Sequence, residues 1–108
     1  MKLLTHFAAA LLLLQPTLAV AIDSQAQMNG KGFSDACTRV SETWVSFCNG
    51  YVQAVVDSIS ASDQVCIPVG TTRTELVTIA EKEVTASARL KEMNAHAAVL
   101  SVLRSHYP

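Results

Sequence analysis

Apolar residues in this chain recur at helical spacing. Across residues 42–60, Trp44, Phe47, Tyr51, Val55 and Ile59 follow at steps of three and four, which places them on one stripe of a helix. Ser41 stands before this run as a suitable N-cap. A second stripe, Leu76, Ile79, Ala80 and Val84 with Val77 near its seam, predicts a helix capped by Thr71 or Thr72. A third, His96, Val99, Leu100, Leu103 and Tyr107, predicts a final helix ahead of Pro108. Upstream, Ser34 is read as the N-cap of a short leading helix that runs to about Cys37. No segment alternates with period two over a useful length. The fold class is therefore all-α: a small antiparallel helical bundle of a short leading helix plus three main helices.

The connections carry their own signals. Residues 62–64 end the long helix, and 66–71 are a loop because Pro68 and Gly70 both break regular structure. Residues 90–93 are read as the connection between the last two helices. Gly50, inside the long helix, costs ~1 kcal/mol relative to Ala. It marks either a place where another backbone passes close by or a tolerated defect. The core expected from these stripes is Trp44, Phe47, Tyr51, Val55, Ile59, Leu76, Ile79, Leu100 and Leu103.

The first residues have a different character. Met1-Lys2 leads into an apolar stretch that is continuous over residues 8–14, Gln15-Pro16 breaks it, and Ala19-Val20-Ala21 supplies small residues at the −3 and −1 positions. This is the layout of a secretory signal peptide cleaved after Ala21. The apolar core is too short to span ~30 Å of hydrocarbon as a helix. The expected division is a signal peptide over 1–21, a flexible lead-in over 22–32 and one domain over 33–108.

Half of the residues are hydrophobic, which excludes a disordered tail. The net charge of −1 leaves no electrostatic footprint for nucleic acid or an anionic membrane. An enzyme needs a constellation, and none is legible. His96 and His106 lie on one helix about 15 Å apart, too far to share a metal. No paired cysteine spacing for zinc or redox chemistry and no glycine-rich phosphate loop occurs. No catalytic residue, metal or cofactor is expected.

Cys48-Asn49-Gly50-Tyr51-Val52, then Asp57, then Cys66-Ile67-Pro68-Val69-Gly70-Thr71 form a combination that resembles the Rap/Tai family of small exported immunity proteins. That family's pattern runs Cys-x-Gly-Tyr-(Ile/Val)-x-Gly-x-x-Asp, then Cys-Ile-Pro-x-Gly-Val-Thr, and ends in aromatic-Pro-Cys. Gly50, Tyr51, Asp57, Cys66, Ile67, Pro68, Gly70, Leu76 and Tyr107-Pro108 match it. Ala54 replaces the second glycine, Thr71 stands for Val, Ser87-Ala88 stands for a usual His-Pro, and the last Cys does not follow Pro108. The resemblance implies a periplasmic protein that binds a peptidoglycan amidase effector delivered by type VI secretion and occludes its cleft, with a homodimer as a further expectation. The alternative is a periplasmic helical binding or chaperone-like module for another protein partner. By analogy, residues 87–94 are the segment that plugs the cleft, with Arg89, Leu90, Lys91, Glu92 and Met93 as contacts. Asp57 is expected to accept hydrogen bonds from the start of the helix after the Cys-Ile-Pro loop, or else to lie on the binding surface.

The chain has three cysteines, and an exported protein pairs them. Cys37–Cys48 closes easily if residues 38–41 turn between two antiparallel helices. Cys48–Cys66 is the alternative and needs a taut return of the chain. If Phe33, Cys37, Val40, Trp44 and Phe47 instead shared one unbroken helix, Cys37 and Cys48 would stand about 16 Å apart and no bond would join them.

Overall fold

The structure is a computed structural model and describes residues 26–108. The expected signal peptide and the start of the lead-in lie outside the described residues. Five α-helices make up the described fold: α1 (Gly30–Cys37), α2 (Glu42–Asp57), α3 (Arg73–Ala86), α4 (Ala88–Glu92) and α5 (Ala95–His106). A 3-10 turn, Ala61–Asp63, follows α2. No strand occurs among the described residues, and the all-α expectation holds.

The first helix starts earlier than expected. Asn29, not Ser34, is its N-cap, and the Asn29 side chain accepts the Gly32 N–H at 2.8 Å. Ser34 is instead buried inside α1, where its hydroxyl meets Thr85 Oγ1 of α3 at 2.6 Å. The end of the lead-in is thus part of the packed fold. Thr38 closes α1, and the chain turns back so that α1 and α2 lie as two arms of a hairpin.

The core is made of small and β-branched side chains. Phe33, Val52, Val55, Leu76, Ala80, Val84, Leu90, Ala95, Ala98, Val99, Val102 and Leu103 form one buried cluster. On α5 the buried positions Ala95, Ala98, Val99, Val102 and Leu103 repeat at three and four, and on α3 Leu76, Ala80 and Val84 repeat at four. On α2 the buried stripe is Cys48, Val52 and Val55. This corrects the expected core: of the α2 set only Val55 is buried, Trp44, Tyr51 and Ile59 are half-buried, and Phe47 is exposed. Ile79 and Leu100 are also only half-buried. The reason is that α2 carries apolar residues around most of its circumference, so spacing alone leaves the inward direction open. Alanines and valines on the facing helices admit a close approach, and the smaller stripe of α2 takes it.

Residues 90–92 of the expected connection are helical, and Met93 is the extended C-cap. Ser87 leaves α3 in an extended conformation and caps α4, its hydroxyl accepting the Leu90 N–H at 3.1 Å. Two antiparallel bonds then tie the start of α1 to the start of α5: Gly30 N–H to Met93 O and Ala95 N–H to Met28 O, both 2.8 Å. This close seam explains Gly30, because a Cβ there would lie 2.0 Å from the Leu90 carbonyl oxygen. Gly50, by contrast, has nothing within 4 Å of such a Cβ, so no backbone passes it.

Candidate protein-binding surfaces

The disulfide joins Cys37 at the end of α1 to Cys48 nearly two turns into α2, with Cα atoms 5.6 Å apart. The single-helix arrangement that would have forbidden it is broken at residues 38–41, where the chain turns. Cys66 is left as an exposed free thiol. Its amide donates to Tyr107 O at 2.8 Å, so the end of the chain returns to the Cys-Ile-Pro loop.

That loop is a rigid turn. Thr71 donates to Pro68 O from both its N–H (3.2 Å) and its hydroxyl (2.8 Å), and Gly70 supplies the required positive φ of 93°. Ile67 packs against the core, while Pro68 and Val69 face solvent. The loop therefore sets the entry into α3. There a capping box holds the start of the helix: Thr72 Oγ1 accepts from the Glu75 N–H, and the Glu75 carboxylate accepts from the Thr72 N–H.

This arrangement overturns the capping role expected for Asp57. Its carboxylate accepts from Gln53 Nε2 at 2.8 Å, and Gln53 Oε1 accepts from Arg73 Nε at 2.9 Å. Asp57 reaches α3 only through that side-chain relay and is itself exposed. The Glu75 N–H at the N-terminus of α3 is taken by Thr72, and Asp57 bonds to Gln53 instead. The motif residues consequently divide: Tyr51 and Ile67 pack on the core, while Gly50, Ala54 and Asp57 lie on the outer face of α2.

Residues 87–94 do not protrude as a loop. Leu90 is buried in the core, which corrects its place among surface contacts. Arg89 and Glu92 are exposed, Lys91 and Met93 half-buried, and Arg89 Nη1 reaches Met93 Sδ at 3.4 Å. A hollow of about 250 Å³ lies beside this segment, lined by Gln27, Met28, Asn29, Glu92 and Asn94.

The aromatic residues displaced from the core form a chain along one flank of α2. Ring centroids are 5.7 Å apart for Trp44 and Phe47, 6.0 Å for Phe47 and Tyr51, and 5.6 Å for Tyr51 and Phe33. Partial burial pushes the Tyr51 hydroxyl above its ordinary pKa. At the outer end of the chain the Arg39 guanidinium sits 4.4 Å from the Trp44 ring centroid. The helical spacing alone puts Trp44 and Phe47 in the core and gives Arg39 no role. The signal available was the pair Cys37 and Cys48, which encloses all three.

Elsewhere the titratable groups serve the scaffold. His96 Nε2 meets Ser58 Oγ at 2.9 Å, His106 pairs with Glu83, and Arg104 Nε donates to Asp63 O at 2.8 Å. Asp63 accepts the Ser60 N–H at 2.8 Å, which with the Ser60 hydroxyl and the Arg104 charge holds its carboxyl below the usual range. Among the described residues no group of three or more His, Cys, Asp or Glu side chains is placed to hold a metal ion, and no helix is long and apolar enough to cross a membrane.

Neither a curated protein nor a solved structure matches the chain. A family model does, over residues 29–108, from the cap of α1 to the last residue. With that match spanning all five helices, the chain belongs to the family of Rap1a immunity proteins.

Proposed function

We propose that this chain is an exported, non-enzymatic inhibitor that binds a cell-wall amidase effector delivered by type VI secretion and occludes its catalytic cleft in the periplasm. The observation that carries this reading is the immunity-family match over the whole described fold. Two features support it. The bundle is small and cross-braced, by the Cys37–Cys48 disulfide and by the seam between the starts of α1 and α5, so a binding surface on it is already ordered. The signal-like residues 1–21 and the disulfide both suit an oxidising compartment outside the cytoplasm. Within this reading Arg89, Lys91, Glu92 and Met93 remain contacts for the effector, presented by a short helix rather than a loose loop, while Leu90 anchors that helix from below.

The test is inhibition. The purified protein is titrated into peptidoglycan hydrolysis by a purified type VI secretion amidase effector, with affinity read by calorimetry. Loss of hydrolysis at one equivalent is the expected result. Hydrolysis that continues at saturating inhibitor, with no heat of binding, overturns the reading.

A further inference from the structure

Two of the asparagines in the chain precede glycine, Asn29–Gly30 and Asn49–Gly50. Such a dipeptide can modify itself. The glycine nitrogen attacks the side-chain amide carbon, Cγ, of the asparagine, and a glycine has no Cβ to hinder the approach. The amide nitrogen leaves as ammonia, and a five-membered succinimide closes. Water then opens the ring at either carbonyl. Breaking the bond between Cγ and the glycine nitrogen gives aspartate. Breaking the bond between the main-chain carbonyl carbon and that nitrogen gives isoaspartate, whose backbone runs through Cβ. In sum, water is consumed, ammonia is released and the side-chain amide becomes a carboxylate.

The fold holds both dipeptides away from this reaction, by different means. At Asn29 the attacking nitrogen is engaged: the Gly30 N–H donates to Met93 O at 2.8 Å, and Gly30 is buried against the Leu90 carbonyl. The attacked amide is engaged too, with Asn29 Oδ1 accepting the Gly32 N–H at 2.8 Å. The main chain between them is extended, with ψ at 173°, and must rotate to bring the nitrogen onto Cγ. The Ala95–Met28 hydrogen bond on the other side of Asn29 resists that rotation. These holds belong to the short seam and the α1 cap beside it, and Asn29 itself is exposed to water. Asn49 is half-buried inside α2, next to the disulfide at Cys48, so Gly50 N is freed only when that helix unwinds. Opening the seam disturbs far less structure.

We propose that Asn29 is a self-modification site gated by the seam between the starts of α1 and α5, and that its isoaspartyl product latches the seam open. Local opening frees Gly30 N and the Asn29 amide together, without unfolding of the bundle. The aspartyl product closes again, because its carboxylate accepts the Gly32 N–H and its charge suits the N-terminus of α1. The isoaspartyl product does not. It places one extra main-chain atom between the Met28 carbonyl and Gly30 N, the two groups that pair with Ala95 and Met93, so the two bonds no longer form in register. An opening of the seam is thereby recorded permanently in the chain.

The purified protein is held in mildly alkaline buffer, folded and in unfolding urea, and conversion at each asparagine is followed by peptide mapping with mass spectrometry. In urea Asn29 and Asn49 are expected to convert at similar rates. In the folded protein Asn29 is expected to convert about 10-fold or more slowly than in urea, and Asn49 more slowly still. Ala95→Pro removes one seam N–H at the first position of α5, where proline is tolerated and where the preceding Asn94 already has ψ 137°. It should speed conversion at Asn29 several-fold and leave Asn49 unchanged, with thermal melting verifying the fold. Where this variant does not fold, urea below the unfolding transition gives the same test on the unaltered chain. Conversion at Asn49 should then rise with the full urea dependence of unfolding, and conversion at Asn29 with a shallower one. Equal rates at Asn29 in the folded and unfolded chain, or equal urea dependence at the two positions, overturn the gate. Ion exchange isolates the modified chains by their added charge, and isoaspartyl methyltransferase measures their isoaspartate. The isoaspartyl population should melt below the Asn29→Asp variant, and an equal melting temperature overturns the latch.

Discussion

Replacing Gly30 and Gly50 by alanine, one at a time, is expected to move stability in opposite directions. In a helix, glycine loses more backbone freedom on folding than alanine and is worse by about 1 kcal/mol. Gly50 lies inside α2 with nothing within 4 Å of a new Cβ, so Gly50→Ala should recover most of that and stabilise the protein by about 0.5–1 kcal/mol. Gly30 carries the same entropic argument with a different outcome. Its new Cβ would lie 2.0 Å from Leu90 O, 2.8 Å from Leu90 C and 2.9 Å from Lys91 Cα, and all three atoms are backbone. Ordinary heavy-atom contact is about 3.5 Å, so α1 and α4 must part by more than an ångström at that point. Overpacking of this kind costs about 1–3 kcal/mol. The shift also strains the Gly30–Met93 and Ala95–Met28 hydrogen bonds, each worth about 1 kcal/mol. Set against the entropic gain, the net loss is about 2–4 kcal/mol, a large fraction of the stability of so small a domain. Urea unfolding followed by far-UV circular dichroism and by Trp44 fluorescence gives both values. A neutral or stabilising Gly30→Ala would refute the close seam between α1 and α4. A Gly50→Ala that loses more than about 0.5 kcal/mol would show that the outer face of α2 is covered.

Replacing both Cys37 and Cys48 by alanine should lower stability by about 3 kcal/mol, the loop-closure value for a bridge of this span, whereas Cys66→Ala should change little; melting with and without reductant separates the two. Leu90→Ala should cost about 2–5 kcal/mol because the side chain is buried, while Arg89→Ala and Glu92→Ala should stay within about 0.5 kcal/mol; equal effects in urea titrations would return residues 87–94 to the status of a loose connection. Asp63 has its folded carboxyl pKa lowered, chiefly by the Ser60 N–H, so its contribution to stability is present above the unfolded value and is lost as the pH falls through the folded one. Asp63→Asn should therefore be less stable than the parent at pH 7, and the gap should narrow below about pH 4. A gap independent of pH would remove the charge from the explanation.

The positions of α2, α3 and α5 and the all-α class were legible because each depends on local information: a repeat at three and four, a cap, and a breaker such as Pro68 or Gly70. The favoured disulfide was legible for the same reason, since a turn at residues 38–41 is enough to bring Cys37 and Cys48 together. What failed in each case was a direction or a contact across the bundle. Trp44, Phe47 and Tyr51 make a better hydrophobic stripe than Cys48, Val52 and Val55, and in isolation α2 would bury either. Ala80, Ala95 and Ala98 on the opposing helices decide between them, because their small side chains bring backbones close and leave room for valine rather than for indole and phenyl rings. The same closeness makes Gly30 indispensable and leaves Gly50 unconstrained. It also draws residues 88–92 into a helix around buried Leu90. Asp57 does not take its expected role, and Thr72 and Glu75, three residues apart in sequence, cap each other's N–H groups instead. The sequence thus determined that α2, α3 and α5 are helical and that a turn at residues 38–41 would bring Cys37 and Cys48 within reach of each other. Only the tertiary structure decided which way α2 faces, and so which aromatic side chains are left at the surface, because that choice depends on the volume available between helices distant in the chain.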